Sequence, residues 1–214
     1  MVGPTGSGKS SIAALVAREY NPTAGHILID GEDLQSYPVR ALRNAIGYVP
    51  QDTFLFSASI RENLCFGRPG ATVELMDAAC DVAQFTETLA QLPEGYDTLL
   101  GERGVNLSGG QKQRLAIARA VIRDPKILIL DDALSSVDTH TEEAILTRLK
   151  GVMAARTSLI ISHRISTIRH ADIVIVIDDG RIVERGVHDE LVGQGGLYAR
   201  MYERQLLEKE LEEA

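Results

Sequence analysis

The 214-residue sequence has no tryptophan, and only 5% of its residues are aromatic. Proteins that bind single-stranded nucleic acid stack bases on aromatic side chains, so this scarcity disfavours that class. Basic residues are outnumbered as well, since 22 Lys and Arg stand against 30 Asp and Glu and the net charge is −8. Because a phosphate backbone binds basic surfaces, we predict that the protein has no nucleic-acid partner.

Cysteine and long apolar segments are also scarce. The two cysteines, Cys65 and Cys80, do not make a disulfide framework, which fits a reducing cytosolic compartment. No apolar run reaches the roughly 18 residues that a membrane-spanning helix needs. With 44% hydrophobic and 24% charged residues, the composition is typical of a folded globular protein and not of a disordered chain or a coiled coil.

Glycine, in contrast, is frequent, and seven of the 19 glycines lie in two short clusters. The first cluster belongs to the segment 3–10, GPTGSGKS, which fits the pattern G-x-x-x-x-G-K-[ST] at every fixed position. Glycines allow backbone N–H groups to surround phosphate oxygens, and the N-terminus of a following helix attracts anions. The segment therefore predicts a phosphate-binding loop before a helix at 10–19. The alternative is a glycine-rich turn that binds nothing.

Two residues of this loop and one distant carboxylate are candidates for the phosphate chemistry. Lys9 would reach the β- and γ-phosphates of a nucleotide, and the Ser10 hydroxyl would bind Mg²⁺. A second carboxylate on the Mg²⁺ side is expected where an apolar strand ends, and Asp131 follows the run 127–130, ILIL. Doubly wound sheets bind ligands at the carboxyl ends of their strands, which supports this pairing.

The second glycine cluster lies at the start of another predicted helix, 108–123. Ser108 and Gln111 have the spacing of a capping box, in which each side chain binds the backbone N–H of the other residue. A capping box does not explain Gly109 and Gly110, because each glycine in a helix costs about 1 kcal/mol relative to alanine. A ligand that approaches the bare backbone would explain both glycines.

The segment 107–111, LSGGQ, resembles the signature motif of the ATP-binding cassette (ABC) ATPases. Gln51 in the segment VPQD resembles the Q-loop glutamine of that family, and His163 in the segment ISHR resembles its switch histidine. The segment 135–138, SSVD, resembles the D-loop, and the segment 101–104, GERG, resembles one that is typical of the exporter branch. The motifs occur in the family's order, and the resemblance covers essentially the whole chain.

The resemblance implies that ATP and Mg²⁺ bind between two such domains. In the family, the signature motif faces the phosphate loop of a second subunit, while the glutamine and the histidine lie on the γ-phosphate side. Carried over residue by residue, the implied nucleotide-binding residues are Gly3, Pro4, Thr5, Gly6, Ser7, Gly8, Lys9, Ser10, Ser11, Gln51, Ser108, Gly109, Gly110, Gln111, Asp131 and Asp138. The implied metal ligands are Ser10, Gln51 and Asp131, and the implied catalytic residues are Asp132, His163 and Gln51.

The sequence departs from the family pattern at Asp132, where the family usually has the glutamate that acts as general base. Aspartate is one methylene shorter, and a displacement of about 1 Å can lower a catalytic rate roughly 100-fold. We therefore expect this site to bind ATP and to hydrolyse it slowly. Some heterodimeric exporters pair such a degenerate site with a competent one, which the LSGGQ motif of this chain would serve. The alternative is that Asp132 still acts through a bridging water.

A second departure concerns the start of the chain. In the family, a buried strand precedes the phosphate loop, and an antiparallel subdomain before it carries an aromatic side chain that stacks on adenine. Here only Met1 and Val2 precede Gly3. We therefore expect a domain that is incomplete at its N-terminus, a sheet that lacks hydrogen-bond partners, and weakened adenine binding.

The predicted fold is α/β of the P-loop NTPase type, with a mainly parallel sheet flanked by helices. The runs 127–130, 158–161 and 173–177 are apolar without alternation, which indicates strands buried on both faces. Shorter strands are predicted at 26–29, 46–49 and 181–184, and further helices at 38–44, 72–92, 141–153 and 197–214. On this interpretation, residues 1–214 form one nucleotide-binding domain with a helical insert at about 52–115.

The function that the resemblance implies is ATP binding and hydrolysis by the nucleotide-binding domain of an ABC exporter. The implied partners are a second, non-identical ATPase domain and the transmembrane domains of the exporter, which would dock near residues 54–62 on the cytoplasmic side of the cell membrane. Two alternatives stay open. One is a regulatory subunit that binds ATP with negligible turnover. The other is a soluble ABC ATPase that acts on DNA or ribosomes, which would need a basic face or a long coiled-coil insert.

Overall fold

The computed structural model describes residues 1–101 and 107–212, in which helices and strands alternate along the chain. The helices are α1 (Lys9–Val16), α2 (Val39–Ala45), α3 (Ile60–Gly67), α4 (Val73–Val82), α5 (Thr86–Gln91), α6 (Gly109–Val121), α7 (Thr139–Met153), α8 (Ile165–Ile168), α9 (His188–Gly193) and α10 (Leu197–Glu212). The strands are β1 (Leu28–Ile29), β2 (Glu32–Asp33), β3 (Ile46–Val49), β4 (Ile127–Asp131), β5 (Thr157–Ile161), β6 (Val174–Asp178) and β7 (Arg181–Gly186).

The chain divides into two compact units. The first unit contains residues 1–25 and 160–214, and the second contains residues 26–159. Each unit therefore holds part of the motif set.

The first unit is built on the antiparallel hairpin of β6 and β7. Asp179 and Gly180 close its turn with φ values of +44° and +71°, and a register shift follows Val176. Val2 pairs in parallel with Val176, since its N–H donates to the Ile175 carbonyl at 3.0 Å and its carbonyl accepts from the Ile177 N–H at 2.9 Å. Contrary to the expectation of a sheet without partners, Met1 and Val2 supply hydrogen bonds to β6 and to the Ser162 N–H.

The core of the first unit consists of side chains that are almost fully buried. They come from the residue before the phosphate loop, from β6 and from three helices, and they are Val2, Ile165, Ile168, Val174, Val176, Leu191 and Tyr198. The C-terminal helix α10 therefore packs into this core through its first turn. Its first N–H groups, those of Leu197 and Tyr198, donate to the Glu184 carboxylate, which acts as a cap from β7.

The second unit has a parallel pair of strands at its centre. Ile46 of β3 pairs with Ile127 of β4, and Val49 pairs with Leu130, while β5 continues the sheet beside β4. The prediction of burial on both faces is confirmed for β4, in which residues 128–131 are all buried. It is wrong for most of β5, in which only Ile161 is buried, because its other residues are half-buried or exposed.

The helices of the second unit differ from the predicted ones at two places. The segment 72–92 is not one helix, because Gln84 adopts a left-handed conformation with φ +53° and separates α4 from α5. The helix α3 was not predicted, although its capping box is present in the sequence: the Glu62 N–H donates to Ser59 Oγ at 3.1 Å, and the Ser59 N–H donates to Glu62 Oε2 at 2.8 Å.

The first helix is also shorter than predicted, since α1 ends at Val16 and not at Glu19. Arg18 adopts φ +52°, which a right-handed helix cannot contain. The helix predicted at 197–214 is described as far as Glu212. Within the described residues, no helix combines the length and the apolarity that crossing a membrane requires.

We predict that the two cysteines differ in their reaction with iodoacetamide. Cys80 is 1% exposed, and burial raises the pKa of its thiol to about 11, so about one thiol in a thousand is ionised at pH 8. Cys65 is only partly buried. At pH 8, the folded Cys65→Ser variant, which keeps Cys80, should be alkylated at least about tenfold more slowly than the Cys80→Ser variant. The two variants should react alike in denaturant, and equal rates in the folded state would contradict the burial of Cys80.

Candidate functional site

The predicted phosphate loop, Gly3–Gly8, forms a tight turn in the first unit. Gly6 and Gly8 have φ values of +81° and +100°, which side-chain-bearing residues rarely adopt. The Ser7 N–H donates to the Pro4 carbonyl at 3.2 Å and closes the turn. The segment therefore has the curled backbone that a phosphate-binding loop requires.

The ammonium group of Lys9 lies over this loop. Lys9 Nζ donates to the carbonyls of Gly3 and Pro4 at 2.9 and 2.8 Å and lies 3.4 Å from Ser7 Oγ. The side chain is 8% exposed, so its positive charge is held close to the loop backbone and largely away from bulk water. A buried cation beside a glycine-rich turn fits an anionic group such as a phosphate.

The helix α1 starts directly after the loop, at Lys9. Its N-cap is Gly8, which has no side chain to bind the N–H groups of the first turn. The first four N–H groups of a helix lack partners within the helix and create a partial positive charge. Ser10 and Ser11, which are both exposed, belong to this first turn. The N-terminus of α1 therefore adds a second attraction for an anion at the loop.

Close packing against β6 and its turn fixes the position of the loop. A Cβ atom at Gly3 would lie 1.9 Å from the Ile177 carbonyl oxygen, a separation that no real contact allows. On the other side of the loop, the Gly180 N–H donates to the Ser7 carbonyl at 3.1 Å. The loop is thus held between the end of β6 and the β6–β7 turn, both of which belong to the same unit.

The candidate switch histidine, His163, also lies in the first unit, in the short segment between β5 and α8. Its side chain is exposed. Ser162 Oγ accepts a hydrogen bond from the Arg164 N–H at 3.0 Å and lies 3.2 Å from Thr167 Oγ1. These bonds give the segment a defined turn on either side of the histidine.

The second unit places Gln51, Asp131 and Asp132 at one end of its sheet. Val49 pairs with Leu130 in a parallel register, so Gln51 and the two aspartates follow the carboxyl ends of neighbouring strands. Asp131 is 1% exposed and Gln51 is exposed. The topology therefore places these three residues at the end of the sheet where α/β proteins bind ligands.

Asp132 turns the chain sharply after β4. Its φ of +45° is left-handed, a conformation that aspartate adopts more readily than most residues. Its carbonyl accepts from the Ser135 N–H at 3.1 Å, which closes a turn over 132–135. This turn changes the direction of the chain between the buried end of β4 and the segment 135–138.

The signature segment begins helix α6 with the predicted capping box. The Ser108 N–H donates to Gln111 Oε1 at 2.8 Å, and the Gln111 N–H donates to Ser108 Oγ at 3.3 Å. A Cβ atom at Gly110 would lie 2.7 Å from the Ser136 carbonyl oxygen, whereas one at Gly109 would be 3.4 Å from the nearest atom. Packing within the chain therefore already requires glycine at Gly110, so a bound ligand is needed to explain only Gly109.

Gln113 connects the signature helix to the turn after Asp132, and no motif in the sequence indicates this contact. Its Nε2 donates to Ser135 Oγ at 2.9 Å and to the Asp132 carbonyl at 3.4 Å, and its Oε1 accepts from the Ser136 N–H at 2.9 Å. The side chain is 4% exposed. Spacing alone does not reveal it, because the contacts join residues 19 to 23 positions apart.

Asp138 ends the same segment and begins α7. Its Oδ1 accepts from the Thr141 N–H at 2.9 Å, and that bond holds the pKa of the Asp138 carboxyl below its ordinary value. The structure therefore gives Asp138 a local role as a helix cap. Of the predicted exporter segment 101–104, Glu102, Arg103 and Gly104 lie outside the described residues.

The candidate metal ligands offer hard oxygen donors. Within residues 1–101 and 107–212, no group of three or more His, Cys, Asp or Glu side chains could hold a metal ion. Mg²⁺ in nucleotide enzymes is usually bound by one or two protein oxygens together with phosphates and water. The hydroxyl of Ser10, the amide oxygen of Gln51 and the buried carboxylate of Asp131 fit that kind of site in their chemistry.

The chain is similar to ATP-binding proteins of membrane exporters. The family model described as ABC transporter matches residues 1–135. The chain is 52% identical over 205 residues to the ABC transporter ATP-binding protein YknU of Bacillus subtilis (strain 168), a match that covers 96% of this chain and 35% of that protein. It is 48% identical over 208 residues to the ATM1-type heavy metal exporter of Novosphingobium aromaticivorans, covering 97% of this chain and 34% of that protein.

A solved structure gives the same result. The structure of a bacterial Atm1-family ABC exporter with ATP bound matches with a TM-score of 0.92 and 48% identity. That match covers 95% of this chain and 36% of the exporter chain. The chain thus spans about a third of the length of these relatives.

We predict that alanine is tolerated less well at Gly3 than at Gly6. Both glycines have positive φ values, but a Cβ atom at Gly6 meets nothing within 4 Å, whereas one at Gly3 meets the Ile177 carbonyl. The Gly3→Ala variant should lose about 1–3 kcal/mol more unfolding free energy than the matched Gly6→Ala variant. Urea unfolding followed by circular dichroism measures both, and equal losses would show that the loop does not pack against β6 in solution.

We predict that the Gln113→Ala variant is destabilised by about 1–3 kcal/mol, because the substitution removes the partner of the Ser136 N–H and one partner of Ser135 Oγ. Lys112→Ala, at the neighbouring and less buried position, is the control and should change the free energy of unfolding by less than about 0.5 kcal/mol. Urea unfolding of both variants checks this expectation. A Gln113→Ala variant as stable as the control would contradict the bonds between α6 and the turn.

Proposed function

Because the chain belongs to the ABC transporter family and has its P-loop fold, we propose that it is the nucleotide-binding domain of an ABC exporter and binds ATP at the loop Gly3–Gly8. The single observation that supports this most is the loop geometry. A buried ammonium group, a curled glycine backbone and the start of α1 converge on one short segment. Each of the three features attracts anions, and phosphate is the anion that this combination fits.

In the proposed complex, the loop backbone holds the α- and β-phosphates and Lys9 contacts the β- and γ-phosphates. The ammonium group would exchange its bonds to the Gly3 and Pro4 carbonyls for bonds to phosphate oxygens. Thr5, Gly6 and the first turn of α1 with Ser11 line the same segment. Because the loop is already bent in the required way, binding has little backbone ordering to perform.

We assign Mg²⁺ to the oxygens of Ser10, Gln51 and Asp131. When bound, the ion neutralises the charge that develops on the transferred phosphoryl group. Asp131 is suited to this role because its carboxylate is buried, and Gln51 follows the neighbouring strand at the same end of the sheet. His163 is assigned to the γ-phosphate side by its match to the family motif.

Turnover at this site is proposed to be slow, because Asp132 occupies the position of the general base. The aspartate side chain is shorter than glutamate by one methylene, which places its carboxylate farther from an attacking water. The chain would then be the degenerate-site half of a heterodimer with a second, non-identical ABC ATPase domain. Ser108, Gly109 and Gln111 would close on ATP bound by that partner, and Asp138 would lie at the same dimer interface.

The contact between α6 and the turn after Asp132 supports a link between two sites of such a dimer. The signature helix serves the partner's nucleotide, while the turn at 132–135 follows this chain's own catalytic position. Gln113 lies on the signature helix, and its side chain bonds to Asp132, Ser135 and Ser136. A shift of the signature helix on closing would therefore move the backbone next to Asp132.

We further propose that residues 1–214 belong to one nucleotide-binding domain, with a helical subdomain at about 52–115 and a C-terminal helix at about 197–214. Transmembrane domains of the exporter would dock on the subdomain near Phe54–Glu62. Phe54 and Phe66 are 49% and 64% exposed, and both rings contact Phe56. Arg119 Nη2 donates to the Phe54 carbonyl at 2.7 Å and supports this apolar surface from below. Docking would place the domain on the cytoplasmic side of the cell membrane, where hydrolysis drives transport.

A second candidate function is favoured by the same aspartate. If Asp132 cannot activate water, the chain would be a regulatory subunit that binds ATP and gates its partner without turnover. A soluble ABC ATPase that acts on nucleic acid has no such support, because the net charge of −8 opposes it.

The test is steady-state phosphate release with Mg·ATP, together with equilibrium binding of a fluorescent ATP analogue. We expect the wild type to bind the analogue but to release phosphate little faster than the Lys9→Ala blank. The Asp132→Glu variant should release phosphate about 10- to 100-fold faster than the wild type, because its carboxylate reaches the attacking water.

Other outcomes separate the alternatives. Equal rates for the wild type and Asp132→Glu, both above the blank, would contradict the degenerate site and favour a homodimeric ATPase. Binding without turnover in either protein would favour the regulatory subunit. If the analogue binds to the wild type no better than to Lys9→Ala, the phosphate-loop proposal is wrong.

A further inference from the structure

One side chain of the C-terminal helix bonds to the backbone on both sides of the switch-histidine position. Gln205 Nε2 donates to the His163 carbonyl at 2.6 Å, and Gln205 Oε1 accepts from the Ile165 N–H at 2.9 Å. The two bonds join residues 40 and 42 positions apart, and all three residues belong to the first unit. A single amide group thus spans the peptide units that flank Arg164.

The segment between β5 and α8 takes its shape from side chains. The Arg164 N–H donates to Ser162 Oγ, and the two Gln205 bonds account for the backbone groups before and after it. Three successive backbone groups, the His163 carbonyl and the N–H groups of Arg164 and Ile165, are therefore bonded to side chains. The Gln205 amide bonds to the His163 carbonyl on one side of Arg164 and to the Ile165 N–H on the other, so it constrains the direction of both peptide units.

The position of Gln205 is fixed by the way α10 packs. Tyr198 lies seven residues earlier, two helical turns away on the same face, and it is 0% exposed in the core. Tyr198 Oη lies 2.8 Å from His188 Nδ1, and the Glu184 carboxylate caps the start of the helix. Because these contacts fix the first two turns of α10, they also fix the position of Gln205 along the helix, beside the segment 162–165.

The chemistry of the two contacts suits an amide. One contact needs a donor on the side chain and the other needs an acceptor, and the glutamine amide offers both without a charge. Glutamate at this position would keep the acceptor for the Ile165 N–H but would place a negative charge against the His163 carbonyl. Alanine would remove both bonds.

We propose that Gln205 is a positioning residue for His163, and that it aims the imidazole by fixing the peptide units around it. This inference rests on the proposed function, in which His163 contacts the γ-phosphate side of bound ATP. The C-terminal helix then has a part in nucleotide sensing although none of its residues belongs to a nucleotide motif.

The test compares the imidazole signals of His163 with the affinity for nucleotide. The whole 214-residue chain is titrated with the Mg²⁺ complex of a non-hydrolysable ATP analogue. The ring resonances of His163 are followed by NMR and assigned with the His163→Gln variant. The proteins compared are the wild type, Gln205→Ala, Gln205→Glu and Arg204→Ala. The last is the control, because Arg204 is an exposed neighbour on α10 that pairs with Glu208 at 3.3 Å and does not bond to the histidine segment.

We expect the analogue to shift the His163 resonances of the wild type and of Arg204→Ala. In Gln205→Ala and Gln205→Glu that shift should be lost, while the dissociation constant for the analogue stays within about twofold of the wild type. Amide hydrogen exchange at Ile165 should accelerate in Gln205→Ala and much less in Gln205→Glu, which keeps the acceptor. This graded order distinguishes a loss of positioning from a general loss of structure, which would lower the affinity and accelerate exchange throughout the core.

A full nucleotide-induced shift in both Gln205 variants overturns the inference. If the wild type binds the analogue without any shift at His163, the role of His163 in the proposed function is wrong and the inference falls with it. If the wild type does not bind the analogue, ATP binding itself is refuted. The last two results can be told from the first, because in the first the wild type binds the analogue and its His163 resonances shift.

Discussion

The absence of a side chain at Gly3 is the constraint on which the first unit depends. The backbone of the phosphate loop lies so close to the end of β6 that a Cβ atom at Gly3 would overlap the Ile177 carbonyl. Val2 is hydrogen-bonded to Ile175 and Ile177 of the same strand, and these bonds position the next residue, Gly3, at this contact. Lys9 then folds over the loop and satisfies the carbonyls of Gly3 and Pro4. The hydrogen bonds of Val2 to β6, the close contact of Gly3 with Ile177 and the bonds of Lys9 together fix the shape of the loop before any ligand binds.

A glutamine side chain holds the backbone at two places, the turn after β4 and the segment after β5. Gln113 in the second unit and Gln205 in the first each use one side-chain amide to donate to one backbone or hydroxyl group and to accept from another. Both lie on helices that pack well into their unit, and both bond to the segment next to a candidate catalytic position. An amide suits this task because it can donate and accept at the same time and carries no charge, so it adds no unpaired charge to the turn.

Motifs whose chemistry is local could be predicted from the sequence. The phosphate loop, the strand that ends at Asp131 and the capping box of Ser108 depend on neighbours within a few positions, so pattern and structure agree there. The break between α4 and α5 could not be predicted, because Gln84 is an ordinary helix former, yet it adopts a left-handed conformation where the Phe85 N–H closes the end of α4 on the Cys80 carbonyl. The same holds for Gln113, whose partners lie about 20 positions away, and for β5, whose apolar residues do not show which face is covered.

Gly110 shows how one residue can satisfy two explanations. The pattern suggested a ligand at the bare backbone of the signature segment, and the structure has the Ser136 carbonyl at that place for Gly110. Intrachain packing and ligand approach both favour glycine, so composition cannot separate them. The distance to the nearest atom separates the two glycines. A Cβ atom at Gly110 would clash with the Ser136 carbonyl, whereas Gly109 has ordinary contacts and is exposed.

The left-handed backbone at Asp132 sets stability against chemistry at a single position. Aspartate is tolerated at φ +45° because its short side chain can bond to nearby backbone, whereas the longer side chain of glutamate gains less from that conformation. Aspartate at this position therefore relaxes the turn in which it stands. In a heterodimer whose second site performs the hydrolysis, selection on this position would act mainly through folding. Under that proposal, Asp132→Glu would gain turnover and at the same time lose stability in the turn 132–135.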